Sequence, residues 1–337
     1  MPDQSSLPVA SPFDIVEDLD ALPARLRGGV VAIGNFDGVH RGHRVVLKTA
    51  MTIAEEAGVP AYAMTFEPHP RSVFNPSKPV FRLTPPAMKM RILAAAGLAG
   101  AVTVPFTREF AGIEPEAFVA DVLQERLRIV HAVTGYDFHF GRARRGTPEF
   151  LRQAGAADGF GVTIVEAETD EGREAVSSSR IRAALEEGDV VHANALLGYR
   201  WQVDGEVRQG DQRGRDLGYP TANIALPPET RLAHGIYAVR ALVGDRWIDG
   251  VASFGRRPTF DNGAPLLEVH LFDFSGDLYG QTLRVSFAAY LRPELAFDSA
   301  ELLVEQMDRD SAEARAVLAS LQPLGPLDLA LNGAGPA

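Results

Sequence analysis

Between about Phe13 and Glu187, short apolar runs alternate with longer stretches of helical periodicity. The runs VVAIGNF, AYAMTF, AVTVPF, IVHAVTGYDF and VTIVEA are separated by RVVLKTAMTIAEEAG, PPAMKMRILAAAG, PEAFVADVLQERL and TPEFLRQAG. This alternation predicts a parallel sheet with crossover helices, a doubly wound α/β domain. Beyond about Tyr199 the pattern changes to half-alternating segments punctuated by glycine. YAVRALV and RWIDGVASF flank Gly244-Asp245, a two-residue hairpin signal, and LLEVHLFDF and LRVSFAAYL come after them. These predict an antiparallel barrel or sandwich, with an amphipathic helix over Ser299–Leu321 packed on it. The expected domains are residues 13–189 and 190–325, with disordered tails at 1–12 and 326–337.

Composition narrows this picture. A chain of 337 residues is long for one hydrophobic core, which agrees with two domains. No stretch approaches the roughly 18 apolar residues of a membrane helix, and the first residues lack a basic region followed by an apolar one. With no cysteine there is no disulfide, thiolate metal site or cysteine nucleophile, so a cytoplasmic chain is expected. A net charge of −11 opposes an extended nucleic-acid or anionic-membrane surface, while local basic clusters can still hold a small anion.

The stretch GNFDGVHRGH, Gly34 to His43, carries the strongest chemical signal. If Val30–Phe36 is the first strand, Asp37-Gly38 the turn and His40 the start of the helix, both histidines stand at the carboxyl edge of a parallel sheet. That edge binds ligands, and the helix start offers amide donors to phosphate. Residues i and i+3 share a helix face, so His40 and His43 can reach one phosphate chain, and Gly42 lets a nucleotide approach the backbone. The plainer alternative is a capping and a surface histidine. A zinc helix would space its histidines i, i+4 around a glutamate, which is absent.

GNFDGVHRGH resembles the signature of the bacterial bifunctional riboflavin kinase/FAD synthetases, whose first domain is a nucleotidyltransferase with an H-x-G-H motif. TFEPHP (Thr65–Pro70), GYDFHFG (Gly135–Gly141) and VSSSRIR (Val176–Arg182) stand in the order of that module. GRDLGYPTANI (Gly214–Ile224), GVASFGRRPTF (Gly250–Phe260) and LEVHLFDFSGDLYGQ (Leu267–Gln281) resemble the riboflavin kinase module. The resemblance covers nearly everything between about Phe13 and Leu321. H-x-G-H alone occurs in many nucleotidyltransferases and in class I aminoacyl-tRNA synthetases; the P-T-A-N stretch with a downstream glutamate makes the flavin assignment specific.

The resemblance implies roles residue by residue. His40, His43 and Arg182 carry adenylyl transfer, with Gly34, Asn35, Phe36, Gly42 and Ser178 on ATP and its phosphates. One serine of VSSSRIR is also a good N-cap, and Arg180 and Arg182, placed in the first turn, would oppose the helix dipole unless an anion binds there. Asp137 meets nucleotide or flavin, or is a turn aspartate. Pro68 and Pro70 hold the chain extended around His69, which ends a strand or walls the flavin pocket. The basic run RARRG beyond GYDFHFG is expected to be mobile, with its role open.

The second half has no P-loop. Gly210, Gly214 and Arg215 supply a phosphate loop, and Thr221 and Asn223 are hard oxygen ligands of the kind Mg²⁺ prefers. Glu268 is the base, or else a strand carboxylate, and Arg292 closes the flavin site or is a surface residue. Two departures stand out: Ser253 and Phe254 in place of Asn and Ile, and Leu196–Trp201 in place of a Gly-Arg-Pro-Tyr-like run. The implied chemistry is ATP-dependent phosphorylation of riboflavin to FMN, then adenylylation of FMN to FAD with release of pyrophosphate. Partners are riboflavin, FMN, FAD and ATP, with neither nucleic acid nor membrane; oligomeric state is left open. The rivals are a class I synthetase-like adenylating enzyme, which would need a K-M-S-K-S-like loop, and a flavin-sensing regulator.

Overall fold

The computed structural model describes residues 13–210, 217–256 and 265–332. They pack as two compact units. One comprises the chain up to Pro79 together with Lys89–Ala175; the other comprises Val80–Met88 and the chain from Val176 onward.

The first unit is built on six parallel strands: β1 (Asp14–Val16), β2 (Val30–Ile33), β3 (Ala61–Glu67), β4 (Gly100–Pro105), β5 (His131–Gly135) and β6 (Gly161–Val165), in the order β1-β4-β3-β2-β5-β6. Every residue of β2 is buried, as a strand covered on both faces must be. The chain runs outward from β2 through β3 to β4 and later returns to the other side of β2 as β5, so the strand order reverses between β2 and β5. Open α/β sheets bind ligands outside the strand ends at that reversal. The connecting helices are α1 (Arg41–Ala57), α2 (Pro70–Phe74), α3 (Pro86–Ala95), the short α4 (Arg108–Ala111) and α5 (Pro115–Ala117), and α6 (Pro148–Asp158). α5 runs on into wider π-helical turns over Phe118–Arg126. Apolar residues of β2, β3 and β4, among them Ile33, Met64 and Val102, pack with Phe118, Leu123 and Leu151.

The second unit begins with α7 (Ser178–Glu187) and α8 (Val190–Leu197) and continues as β7 (Gln202–Arg208), β8 (Ala222–Ala225), β9 (Gly235–Val243), β10 (Arg246–Arg256), β11 (Pro265–Leu271) and β12 (Thr282–Arg292). These six strands close into an antiparallel barrel in the order β10-β11-β8-β7-β12-β9. β9 and β10 meet across Gly244-Asp245, with Val243 opposite Arg246, so the hairpin forms where the sequence places it. α9 (Ala300–Ala319) lays Ala314 and Leu318 against Ala238, Phe272 and Ala288 of the barrel.

The expectation of a disordered tail is corrected over Pro326–Asn332, which form a helix, α10. Leu327 and Leu331 repeat at i, i+4 and are buried, and so are Asp328 and Asn332. Asp328 accepts hydrogen bonds from the Arg200 guanidinium, the Arg200 and Leu324 amides and the Asn332 side chain. Gln202 Nε2 donates to Asn332 Oδ1 at 2.8 Å, and Arg200 Nη2 to the Gln322 carbonyl at 2.6 Å. The departure at Tyr199-Arg200-Trp201 thereby acquires a structural reason: Arg200 is the socket of the terminal helix. Trp201 donates from its indole to the Leu83 carbonyl and packs edge-on against Phe81.

Arg200 and Asp328 are 8% and 1% exposed, so removing one leaves a buried charge without its counterpart. Asp328→Ala is expected to lower unfolding free energy by about 3–5 kcal/mol, read from denaturant titration. A loss near zero would show that α10 adds nothing to the fold.

Candidate active sites

β2 ends at Ile33, short of the expected Phe36, because the backbone turns out of the sheet there. Phe36 and Val39 have φ of 48° and 38°, unusual for non-glycine residues, and Gly38 has 88°. A Cβ at Gly34 would lie 3.1 Å from the Phe36 ring, close enough that the ring would have to shift by a few tenths of an ångström. The helix begins at Arg41, one residue later than expected, and His40 is its N-cap, its Nδ1 accepting the His43 amide at 3.3 Å. An accepting Nδ1 leaves Nε2 to carry the proton of the neutral ring. The His40 and His43 rings stack with centroids 3.6 Å apart and planes 18° from parallel, and Phe36 meets His43 edge-on at 5.3 Å. Capping and ligand reading are thus compatible in His40. Gly42 lies in the first turn of α1 between the two rings' positions.

The neighbouring strands deliver TFEPHP and GYDFHFG to the same carboxyl edge, β3 on one side of β2 and β5 on the other. The chain is not extended throughout TFEPHP: after a cis Glu67-Pro68 bond, Pro70 opens α2 and His69 caps it, Nδ1 accepting the Arg71 amide at 3.2 Å. Proline suits that first helical position. Asp137 is exposed in the turn after β5, where the His139 ring lies 2.8 Å from its carbonyl. Arg142 and Arg145 of the basic run both bond Glu114, at 3.2 and 3.0 Å, instead of standing as unpaired charges.

In VSSSRIR the cap is Ser177, whose Oγ accepts the Arg180 amide at 3.3 Å, and Ser178 is the first helical residue. Arg180 lies in the first turn as expected, but Arg182 falls in the second, its Nε donating to the Phe81 carbonyl at 2.6 Å. Ser178 and Arg182 belong to the second unit, His40 and His43 to the first.

The barrel assembles the other set through register. Glu268 on β11 stands directly opposite Asn223 on β8 and Ser253 on β10, and Asn223 is opposite Arg208 on β7. Glu268 is half-buried between the buried Leu267 and Val269, as alternation requires. Gly210 presses its backbone on the amide of Asn223, since a Cβ there would come within 2.5 Å of Nδ2. Thr221 is half-buried and follows two fastened residues: the Tyr219 hydroxyl donates to Asp308 of α9, and the His270 ring lies 3.0 Å from the Pro220 carbonyl. Burial, then the bond to Asp308, raises the Tyr219 pKa. Arg292 is no loose surface group, because it clasps the buried Asp310 of α9 through Nε and Nη2. Of the two departures on β10, Ser253 borders Glu268 and Phe254 is core.

Gly214, Arg215 and the Arg257–Phe260 end of GVASFGRRPTF lie outside the described residues. Among the described residues no group of three His, Cys, Asp or Glu side chains could hold a metal. Sequence reasoning missed Lys89, whose ammonium donates to Thr65 and Glu67, and the Tyr219–Asp308 and Arg292–Asp310 clasps. A lysine between two methionines in an apolar helix was the available signal for the first.

Two family models match successive parts of the chain. The FAD synthetase family model matches residues 22–180 and the riboflavin kinase model residues 197–318. The bifunctional riboflavin kinase/FMN adenylyltransferase of Escherichia coli K12 is 38% identical over 88% of this chain and 95% of its own. That of Bacillus subtilis is 39% identical over 85% and 91%. A crystal structure of a Streptococcus pneumoniae protein, described as a macrolide-efflux protein, superposes with a TM-score of 0.81 at 30% identity, covering 92% of this chain and 99% of that one. Among the described residues no helix is long and apolar enough to cross a membrane. With both family models matched in order and relatives at this identity over most of both chains, the chain belongs to the bifunctional riboflavin kinase/FMN adenylyltransferase family.

Proposed function

We propose that residues 13–189 and residues 190–325 each hold one of the family's two reactions, with distinct residues serving each. The observation that carries this reading is the register that sets Glu268 directly opposite Asn223, with Gly210 against that same amide. It sets a carboxylate, a side-chain amide oxygen and a glycine backbone beside one another on the barrel, the groups that a base, a cation ligand and a phosphate contact require.

In phosphorylation, Glu268 takes the proton of the riboflavin 5′-hydroxyl as its oxygen attacks the γ-phosphorus of ATP; the bond to the β–γ bridging oxygen breaks and ADP leaves. The Thr221 hydroxyl and Asn223 amide oxygen suit Mg²⁺, which when bound supplies charge neutralisation on the phosphates. Gly210 permits close approach of the phosphates, and Arg292, braced by Asp310, borders the flavin. In adenylylation, an FMN phosphate oxygen attacks the α-phosphorus of a second ATP and pyrophosphate leaves. That nucleophile is already anionic and needs no strong base. His40, His43 and Arg182 stabilise the growing phosphate charge, while Gly34, Asn35, Phe36, Gly42 and Ser178 hold ATP and Pro68, His69, Pro70 and Asp137 border the flavin. Residues 13–189 serve adenylylation and 190–325 phosphorylation. The enzyme works in the cytoplasm on riboflavin, FMN and ATP without nucleic acid or membrane.

Incubation with riboflavin, ATP and Mg²⁺ and chromatographic separation of the flavins tests the whole assignment. His43→Ala is expected to stop FAD formation while FMN accumulates; equal loss of both activities in a folded variant would sink the two-site reading.

Glu268→Gln keeps shape and hydrogen-bonding reach but accepts no proton. Riboflavin phosphorylation should fall by about 10²–10⁴-fold, mostly in kcat, while added FMN is still converted to FAD at the parent rate. Phosphorylation near the parent rate would reduce Glu268 to a strand carboxylate.

A further inference from the structure

Lys89 is a deeply buried charge near the first site, its side chain 1% exposed beside a Glu67 that is 15% exposed. Its neighbours on α3, Met88 and Met90, are buried apolar residues, and a methionine at position 89 would pack without the cost of desolvating an ammonium. What a lysine adds is directed hydrogen bonds. Nζ donates to Glu67 Oε1 at 2.7 Å and to Thr65 Oγ1 at 3.0 Å. An ammonium can only donate, so the Thr65 hydroxyl accepts there and its single proton is turned elsewhere. It goes to the carbonyl of Asn35, at 3.0 Å, in the loop after β2.

A trans peptide points its carbonyl and amide in opposite directions. The Asn35 carbonyl is held towards Thr65 on β3, so the amide of the same peptide, that of Phe36, faces the β5 side of β2. That is the side on which the strand order reverses. Phe36 keeps a φ of 48°, which persists only where its surroundings enforce it. We infer that Lys89 is a positioning residue for adenylyl transfer: through the Thr65 hydroxyl it fixes the Asn35-Phe36 peptide so that the Phe36 amide meets an ATP phosphate. The inference rests on the reading that Gly34–Phe36 bind ATP.

The test measures steady-state FMN adenylylation by Thr65→Val, Thr65→Ser, Lys89→Met and the Thr65→Val/Lys89→Met pair, with riboflavin phosphorylation and thermal midpoint alongside. Thr65→Val retains the Lys89–Glu67 pair and decides the matter should Lys89→Met fail to fold. Expected is a rise of about tenfold in KM for ATP in Thr65→Val and Lys89→Met, no larger in the pair, with KM for FMN and riboflavin phosphorylation unchanged. Thr65→Ser, which keeps the hydroxyl, should restore the parent KM. A purely structural role would lower the midpoint and the yield of active enzyme without separating the two KM values. Unchanged KM for ATP in Thr65→Val, or additive effects in the pair, overturns the inference. If His43→Ala still makes FAD, the ATP reading of the loop itself fails, and the two failures are thereby told apart.

Discussion

Burial of β2 on both faces and both edges constrains the first unit more than any other feature. Four apolar residues, Val30 to Ile33, are hydrogen-bonded to β3 on one side and β5 on the other, so the strand itself presents no polar side chain to a ligand. Chemistry is therefore confined to the loop and helix start beyond Ile33. The backbone leaves the sheet through Gly34, turns through positive φ at Phe36, Gly38 and Val39, and enters α1 with His40 as the cap. Because the two neighbouring strands end at the same edge, TFEPHP and GYDFHFG arrive beside this turn without any long-range loop. The stacked histidines, the capped α2 and the exposed Asp137 follow from three strands that end at one edge of the sheet, β3 running three residues and β5 one residue beyond the partners of Ile33.

The barrel solves its positioning problem differently, through register. A slip of one residue between β8 and β11 would turn Glu268 inward and set Leu267 against Asn223. Buried Ile224, Leu267 and Val269 penalise that slip, so the apolar interior fixes the polar row outside it. α9 adds fasteners at both ends of the row: Asp308 to Tyr219 near Thr221, and Asp310 to Arg292.

Periodicity made the element types legible, because strands and helices differ in where their apolar positions fall. The runs behind β2 to β6 and the Gly244-Asp245 hairpin needed nothing more. Element ends were less legible. Phe36 is an ordinary strand residue by type, and only the turn towards Thr65 gives it a positive φ. Pro326–Asn332 looked like a small-residue tail because its decisive partner, Arg200, is far away in sequence. The three-residue β1 is too short to show any period. Among the site residues, H-x-G-H was visible as a local motif. The opposition of Glu268 and Asn223 is a product of barrel register, and Lys89 acts from a helix that carries no motif at all.

The two sites also differ in residue type for a chemical reason. A ribityl hydroxyl is a poor nucleophile until its proton is taken, so on the proposed reading the barrel must present a carboxylate beside the phosphate-binding oxygens, and Glu268 next to Asn223 meets that demand. On the same reading an FMN phosphate, anionic before it reacts, meets ATP at the histidine edge, where an uncompensated carboxylate would repel both substrates. Glu67, which ends β3 at that edge, is paired by Lys89, which removes its charge from the field that ATP would meet. The same ammonium that orients the Asn35-Phe36 peptide thus offsets an acid placed to oppose the reaction. An apolar residue at position 89 could do neither.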